Sequence, residues 1–357
     1  MTSLMRVAYA GLELYSPERE PVEIDLSDNT SRFGIPPAAA AALRSLPVDS
    51  LTRYPETYAA SLKQALSGYA GVPVECIATG CGSDDVIDST IRAFGEPGDS
   101  IAIPDPSFAM IPSFARMNGM NPVLVPLDSD YGVNVESTNA VQAAITYICT
   151  PNNPTGTTIA AEAIDRIARA SRGIVIVDEA YVEFATRSSA DLIGRHPNII
   201  VMRTLSKAFG LAGLRVGYAI GDPRLIAEVE KSRGPYKVSG VATAAATAAL
   251  REDVDWVRMR VRDTVANRGR LTRELLAREI EVAPSEANFV FAPVRDARRI
   301  AAGMRKRGVA VRPFDNLPAV SPALRRSDGA AIRISVGPWD QVERALDALD
   351  QARSECA

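Results

Sequence analysis

Gly173-Ile-Val-Ile-Val-Asp-Glu-Ala-Tyr181 runs four aliphatic β-formers without a polar break into a carboxylate. An unbroken apolar run of this length, lacking alternation, is the pattern of a strand covered on both faces, as parallel sheets are. Similar runs lie on either side of it. The candidate strands are Cys76 to Thr79, Ser100 to Ile103, Pro122 to Pro126, Ala144 to Cys149, Gly173 to Val177, Ile199 to Met202 and Val216 to Ile220. Helical patterns fit between them: Ser83 to Phe94 opens on a Ser-Asp-Asp first turn, and Ala160 to Ser171 stops at Arg172-Gly173. Residues 75 to 221 thus predict an α/β core with helices on both faces of the sheet.

After Gly221 the texture changes to long charged helical stretches, Pro223 to Arg233 and Val254 to Glu279. A hairpin-like pair follows, Asn288 to Ala292 and Ala331 to Val336, and an amphipathic helix, Trp339 to Arg353, comes last. A large unit over 45–255 is expected, with a smaller α+β unit formed by 256–357 and the Pro-rich residues 1–44.

Composition removes several function classes. With 357 residues, 46% hydrophobic, and a net charge of −3, the chain is an ordinary globular protein without the cationic surface that nucleic acid or an anionic membrane would need. It has neither an apolar run of bilayer length nor the basic start of a signal peptide, so a soluble cytoplasmic protein is expected. Four cysteines, with no C-x-x-C pair, predict reduced and mostly buried thiols and no metal site. The one histidine, His196, sits in a turn before Ile199 and is expected at the surface. A single loop histidine excludes a Ser-His-Asp triad and His-based metal chemistry.

Four segments carry chemistry, each at the end of a strand, where α/β proteins place ligands. In Arg203-Thr-Leu-Ser-Lys-Ala-Phe-Gly210, Lys207 follows a strand and precedes a small-residue run; it reads either as a surface lysine or as an amine placed for Schiff-base chemistry. Asp178 reads either as a helix N-cap or as a carboxylate that keeps a pyridine nitrogen protonated, which pyridoxal chemistry requires. Tyr181 could then hydrogen-bond the phenolic oxygen on the ring's other side. In Thr150-Pro-Asn-Asn-Pro-Thr-Gly156, Asn153 could donate to that oxygen as well. Thr79-Gly-Cys-Gly-Ser-Asp-Asp85 is a Gly-rich strand-to-helix turn of the kind that cradles phosphate.

Together with Leu26-Ser-Asp-Asn29, Arg53-Tyr-Pro55, Gly210-Leu-Ala-Gly-Leu-Arg-Val-Gly-Tyr218 and Arg333-Ile-Ser-Val-Gly337, these segments make the chain resemble the class I/II, fold-type I aminotransferases, most closely the histidinol-phosphate aminotransferase branch. The resemblance spans nearly the whole chain. It implies the fold-type I architecture, a mainly parallel seven-stranded sheet in a large domain beside a smaller α+β domain, with pyridoxal 5'-phosphate (PLP) as cofactor. It makes Lys207 the Schiff-base lysine and proton shuttle, Asp178 the pyridinium partner, and Tyr181 with Asn153 the ligands of the ring oxygen. Phe108 would stack on the ring. Gly82, Ser83, Thr204, Ser206 and Arg215 would hold the phosphate, and Tyr54 would reach the phosphate of a neighbouring subunit, which implies a homodimer with a shared site.

At the substrate end, Arg333 reads by itself either as a salt-bridged structural arginine or as an anion clamp, and the resemblance implies the clamp. Arg312, Asn29 and Tyr15, or Tyr9 in its stead, would complete the pocket, while Arg233 and Lys237 are expected in solvent. The chain departs from the branch at Ser27-Asp-Asn-Thr30 and at Lys237. The implied reaction transfers the amino group of histidinol phosphate to 2-oxoglutarate, giving imidazole acetol phosphate and glutamate. An aminotransferase for aromatic or other amino acids, a PLP-dependent decarboxylase of a phosphorylated amino acid, and a non-catalytic PLP-binding protein are the alternatives.

Overall fold

Each of the seven expected apolar runs is a strand of one sheet, with every end within two residues of the expected one. The structure, a computed structural model, describes residues 21–355 together with residues 4, 6–9, 11, 12 and 14. A short strand β1 (Ile24–Asp25) precedes the sheet. The sheet itself comprises β2 (Ile77–Cys81), β3 (Ser100–Asp105), β4 (Asn121–Pro126), β5 (Ile145–Cys149), β6 (Ile174–Asp178), β7 (Ile199–Thr204) and β8 (Val216–Gly221). They lie in the order β2-β8-β7-β6-β5-β3-β4. Only β8 runs against its neighbours, pairing antiparallel with both β2 and β7. The carboxyl ends of β5, β6 and β7 consequently open on one edge, with Cys149, Asp178 and Met202 side by side and Thr204 two residues beyond.

Burial explains the missing alternation: every residue of β5, β6, β7 and β8 is buried. One face packs Ile87, Ile91, Ile103, Tyr147 and Ile176. The other packs Leu62, Ile148, Ile167, Val175 and Val201.

The remaining strands, β9 (Phe289–Pro293), β10 (Val309–Ala310), β11 (Arg312–Phe314) and β12 (Ala331–Ser335), build the smaller unit. β12 lies between β11 and β9, antiparallel to both, while β10 pairs with β1. Period-two alternation gives this three-stranded sheet two unlike faces. Val290, Ala292, Ile332 and Ile334 join Leu26, Leu271, Leu275 and Leu349 in the smaller core. Phe289, Phe291 and Ala331 face the other way, into the large core. Ile24 and Leu26 thus pack on the C-terminal unit. Ala39, in the helix Pro37–Ser45, already belongs to the large core.

Two expectations are corrected. His196 is buried at 8% exposure, because its turn folds under the helix Ala161–Ala170 and its Nε2 lies 2.8 Å from Asp165 Oδ1. Asn198 fastens the same turn, donating to the carbonyls of Ala168 and Gly173. The three described cysteines are free, but only Cys149 is buried; Cys76 is half-buried and Cys81 exposed. Among the described residues no helix is long and apolar enough to cross a membrane.

Candidate active site

Strand β6 aims its last residue into the sheet's carboxyl edge and sends the next one away. Asp178 Oδ2 accepts from Tyr147 Oη at 2.7 Å and Oδ1 from the Ala180 N–H at 3.0 Å, whereas Glu179 turns aside to pair with Arg203 at 2.9 Å. Burial raises the Asp178 carboxyl to about 6, and the bonds from Tyr147 and Ala180 oppose that rise. A desolvated carboxylate with this pKa is ionised at neutral pH and has no ion pair among the described residues, which suits a protonated ring nitrogen. The sequence reading missed Tyr147. A tyrosine inside the aliphatic run of β5 is the signal that could have found it, since a buried hydroxyl requires a partner.

Lys207 follows β7. Burial first, and then the positive charge of Arg333, draw its amine down to about 8. Its Nζ donates to the carbonyl of Asp28 at 3.1 Å and stands 5.8 Å from the centre of the Tyr181 ring. Arg333, from β12, donates to the Ser27 carbonyl at 2.6 Å and to Asn153 Oδ1 at 2.5 Å. Tyr181 Oη accepts from Asn29 Nδ2 at 3.0 Å. Four expected residues, Lys207, Tyr181, Asn153 and Arg333, are thus brought together beneath the segment 27–29. Asn152, another residue the sequence reading missed, braces this region by bonding Ser107, the Pro106 carbonyl and Thr155. Phe108, next to Ser107, is half-buried.

The Gly-rich turn passes the test of fit for a phosphate. Gly82 has φ +85°, and a Cβ there would lie 2.4 Å from Arg215 Nη2; one on Gly217 would lie 2.1 Å from the Ser83 nitrogen. Bare backbone at both positions keeps the start of the helix Ser83–Phe94 open to an anion. Arg215 takes up the left-handed conformation, φ +54°, with its guanidinium 3.4 Å from Asp84. The hydroxyls of Thr204 and Ser206 are 2.9 Å apart, and the Ser206 N–H donates to Thr204 Oγ1 at 3.1 Å. A cationic guanidinium, two hydroxyls and a helix start are the donor set a phosphate dianion takes.

At the outer rim Tyr54 is 83% exposed and stacks on Tyr236 with ring centres 4.9 Å apart. Tyr15 lies outside the described residues, and Tyr9 is exposed. Two expectations fail here. The Arg233 side chain is wholly buried rather than solvated: the chain leaving the helix Pro223–Ser232 folds back over β2, where Arg233 pairs with Glu230 at 2.7 Å and donates to Thr79 Oγ1. Lys237 is held by Asp85 at 2.8 Å, and Asp85 in turn accepts from the Cys81 N–H. The departure from the branch at Lys237 therefore braces the Gly-rich turn. Thr30 is similarly engaged, donating to Asp28 Oδ1 through both its hydroxyl and its N–H.

Comparison with known proteins agrees with this geometry. The profile of the family described as "Aminotransferase class I and II" matches residues 21–349. The histidinol-phosphate aminotransferase of Roseiflexus castenholzii is 38% identical, covering 98% of each chain, and that of Thermoanaerobacter sp. (strain X514) is 36% identical, covering 90% of this chain and 93% of the relative. The crystal structure of the histidinol-phosphate aminotransferase from Sinorhizobium meliloti in complex with pyridoxal-5'-phosphate superposes with a TM-score of 0.88 at 27% identity, covering 100% of this chain and 99% of that one. With a matching profile, a fold-type I architecture and a site whose donors fit PLP, the chain belongs to the class I and II aminotransferases and is a PLP-dependent enzyme.

Proposed function

We propose that this aminotransferase takes its amino group from histidinol phosphate and passes it to 2-oxoglutarate. The observation that carries the reading is the pairing of Arg312 directly opposite Arg333 across β11 and β12. Directly opposed residues share one face with Cβ atoms about 5 Å apart. Arg312 has neither an ion pair nor a hydrogen bond among the described residues, so its own charge is left for an incoming anion to meet. A phosphate dianion offsets two guanidiniums; a single carboxylate offsets one. The relatives named above, all histidinol-phosphate aminotransferases, support the same donor.

In this reading Lys207 holds the cofactor and carries the proton between the substrate's α-carbon and the cofactor, which its lowered pKa suits. PLP, when bound, supplies an electron sink that stabilises negative charge at that carbon. Asp178 holds the ring nitrogen protonated, and Tyr181 and Asn153 face the ring oxygen. Gly82, Ser83, Thr204, Ser206 and Arg215 would take the phosphate, Phe108 would stack on the ring, and Arg333 with Arg312 would take the substrate's anion. In this reading the exposed Tyr54 is offered to a second copy, with a homodimer as the working unit and the cytoplasm as its compartment.

A half-reaction screen tests the substrate. Holoenzyme mixed with histidinol phosphate should lose the absorbance of its bound cofactor and accumulate the pyridoxamine form, with phenylalanine and aspartate far slower. Equal rates for the three donors would favour a general amino-acid aminotransferase, and release of carbon dioxide without the pyridoxamine form would identify a decarboxylase.

A further inference from the structure

Asn29 was expected at the substrate, yet its polar atoms are occupied inside the protein. It is 1% exposed and sits in the left-handed conformation at φ +60°. Its backbone N–H donates to Ser335 Oγ at 2.9 Å, and Ser335 Oγ donates back to Asn29 Oδ1 at 2.9 Å. Asn288 Nδ2 holds the Asn29 carbonyl at 3.0 Å. Ser335, at the end of β12, is 1% exposed and lies two residues beyond Arg333, on the same face of the strand.

This arrangement decides which way round the amide sits. The Ser335 hydroxyl accepts the backbone N–H, and Oδ1 is the one acceptor it has for its own hydrogen among the described residues. That leaves Nδ2 as the atom facing Tyr181 Oη, at 3.0 Å. An amide nitrogen only donates, so the tyrosine oxygen accepts there and its own proton must point elsewhere. With the amide reversed, Oδ1 would face Tyr181 and take that proton.

We propose that Ser335 and Asn29 are positioning residues that act together: by fixing the orientation of the Asn29 amide, Ser335 keeps the Tyr181 hydroxyl proton free for the cofactor's ring oxygen. The proposal rests on the reading of Tyr181 as a ligand of that oxygen. It assigns to Ser335, whose hydroxyl bonds Asn29, control over the electronic state of the ring. A hydrogen bond donated to the ring oxygen withdraws charge from it and lowers the pH midpoint of the bound cofactor's absorbance; losing the bond raises the midpoint.

The test is a spectroscopic pH titration of the holoenzymes of wild type, Tyr181→Phe, Ser335→Ala, Ser335→Thr and the double variant Ser335→Ala/Tyr181→Phe. Tyr181→Phe should raise the midpoint by about one pH unit or more, as loss of a hydrogen bond to a charged group does. Ser335→Ala should raise it in the same direction and Ser335→Thr restore it. The double variant should match Tyr181→Phe alone. An unmoved midpoint in Ser335→Ala, or additive shifts in the double variant, would overturn the proposal while leaving Tyr181 in place. An unmoved midpoint in Tyr181→Phe would remove the reading beneath it. If Ser335→Ala does not fold, Asn29→Asp replaces it: the nearly isosteric carboxylate can only accept, so it captures the tyrosine proton. Its shift should be larger with Tyr181 present than in the Tyr181→Phe background, and equal shifts in the two backgrounds would overturn the proposal.

Discussion

Lys207 and Asp178 are pushed in opposite directions by the same cause. Burial disfavours the charged form of each, lowering the amine to about 8 and raising the carboxyl to about 6. The neutral amine is the nucleophile, and its fraction grows as pH rises toward the folded pKa. Capture of PLP by the apoenzyme should therefore accelerate about tenfold per pH unit below 8 and level off above it, as stopped-flow absorbance would follow. Lys207→Ala should fold, bind PLP reversibly and lose turnover; a covalent absorbance band surviving in that variant would place the chemistry on another lysine. For Asp178 the sign runs the other way. Its folded pKa exceeds the unfolded value of 3.8, so between about pH 4 and 6 the folded apoenzyme binds more protons and loses stability as pH rises. Asp178→Asn should remove its share of that slope in apoenzyme melting curves, leaving the share of Glu183, which burial raises to about 7. In the holoenzyme the same change should cost at least about two orders of magnitude in rate, roughly 2.7 kcal/mol of barrier.

At the level of elements, β12 carries both ends of the chemistry. Arg333→Lys keeps the charge but loses the planar fork that spans Asn153 and the Ser27 carbonyl, so KM for anionic donors should rise while PLP affinity stays near wild type. Arg312→Ala should weaken histidinol phosphate strongly and phenylalanine little; equal losses in KM would undercut the two-guanidinium reading. Strands such as Ile174–Asp178 were legible because residues buried on both faces leave one unmistakable run, and Lys207, Asp178, Tyr181 and Asn153 because each closes or follows such a run. The hydrogen bonds of Ser335, Tyr147 and Asn152 were not legible. Each depends on a partner far away in the chain, Ser335 on Asn29 most of all, and hydrophobic periodicity does not encode which distant polar atom a side chain meets. His196 was misread for the same reason: a Pro-Asn turn resembles a surface loop until Asp165 is known to lie beneath it.

At the scale of the whole molecule, a shared site predicts complementation between subunits. Lys207→Ala and Tyr54→Ala proteins, unfolded and refolded together, should regain up to about a quarter of wild-type activity, since half the dimers are mixed and each mixed dimer holds one intact site. No gain on mixing would mean that Tyr54 serves its own subunit or none. The sheet formed by β9, β11 and β12 has one further consequence. Its two faces line two different cores, with Phe289 and Phe291 in the large one and Val290 and Ile332 in the small one. The helix Val254–Ala277 likewise seats Val257 in one core and Leu271 with Leu275 in the other. Neither core can melt without stripping the wall it has in common with its neighbour. Calorimetry of the apoenzyme should accordingly give a single cooperative endotherm whose van't Hoff and calorimetric enthalpies agree, and fragments cut near residue 255 should not fold apart.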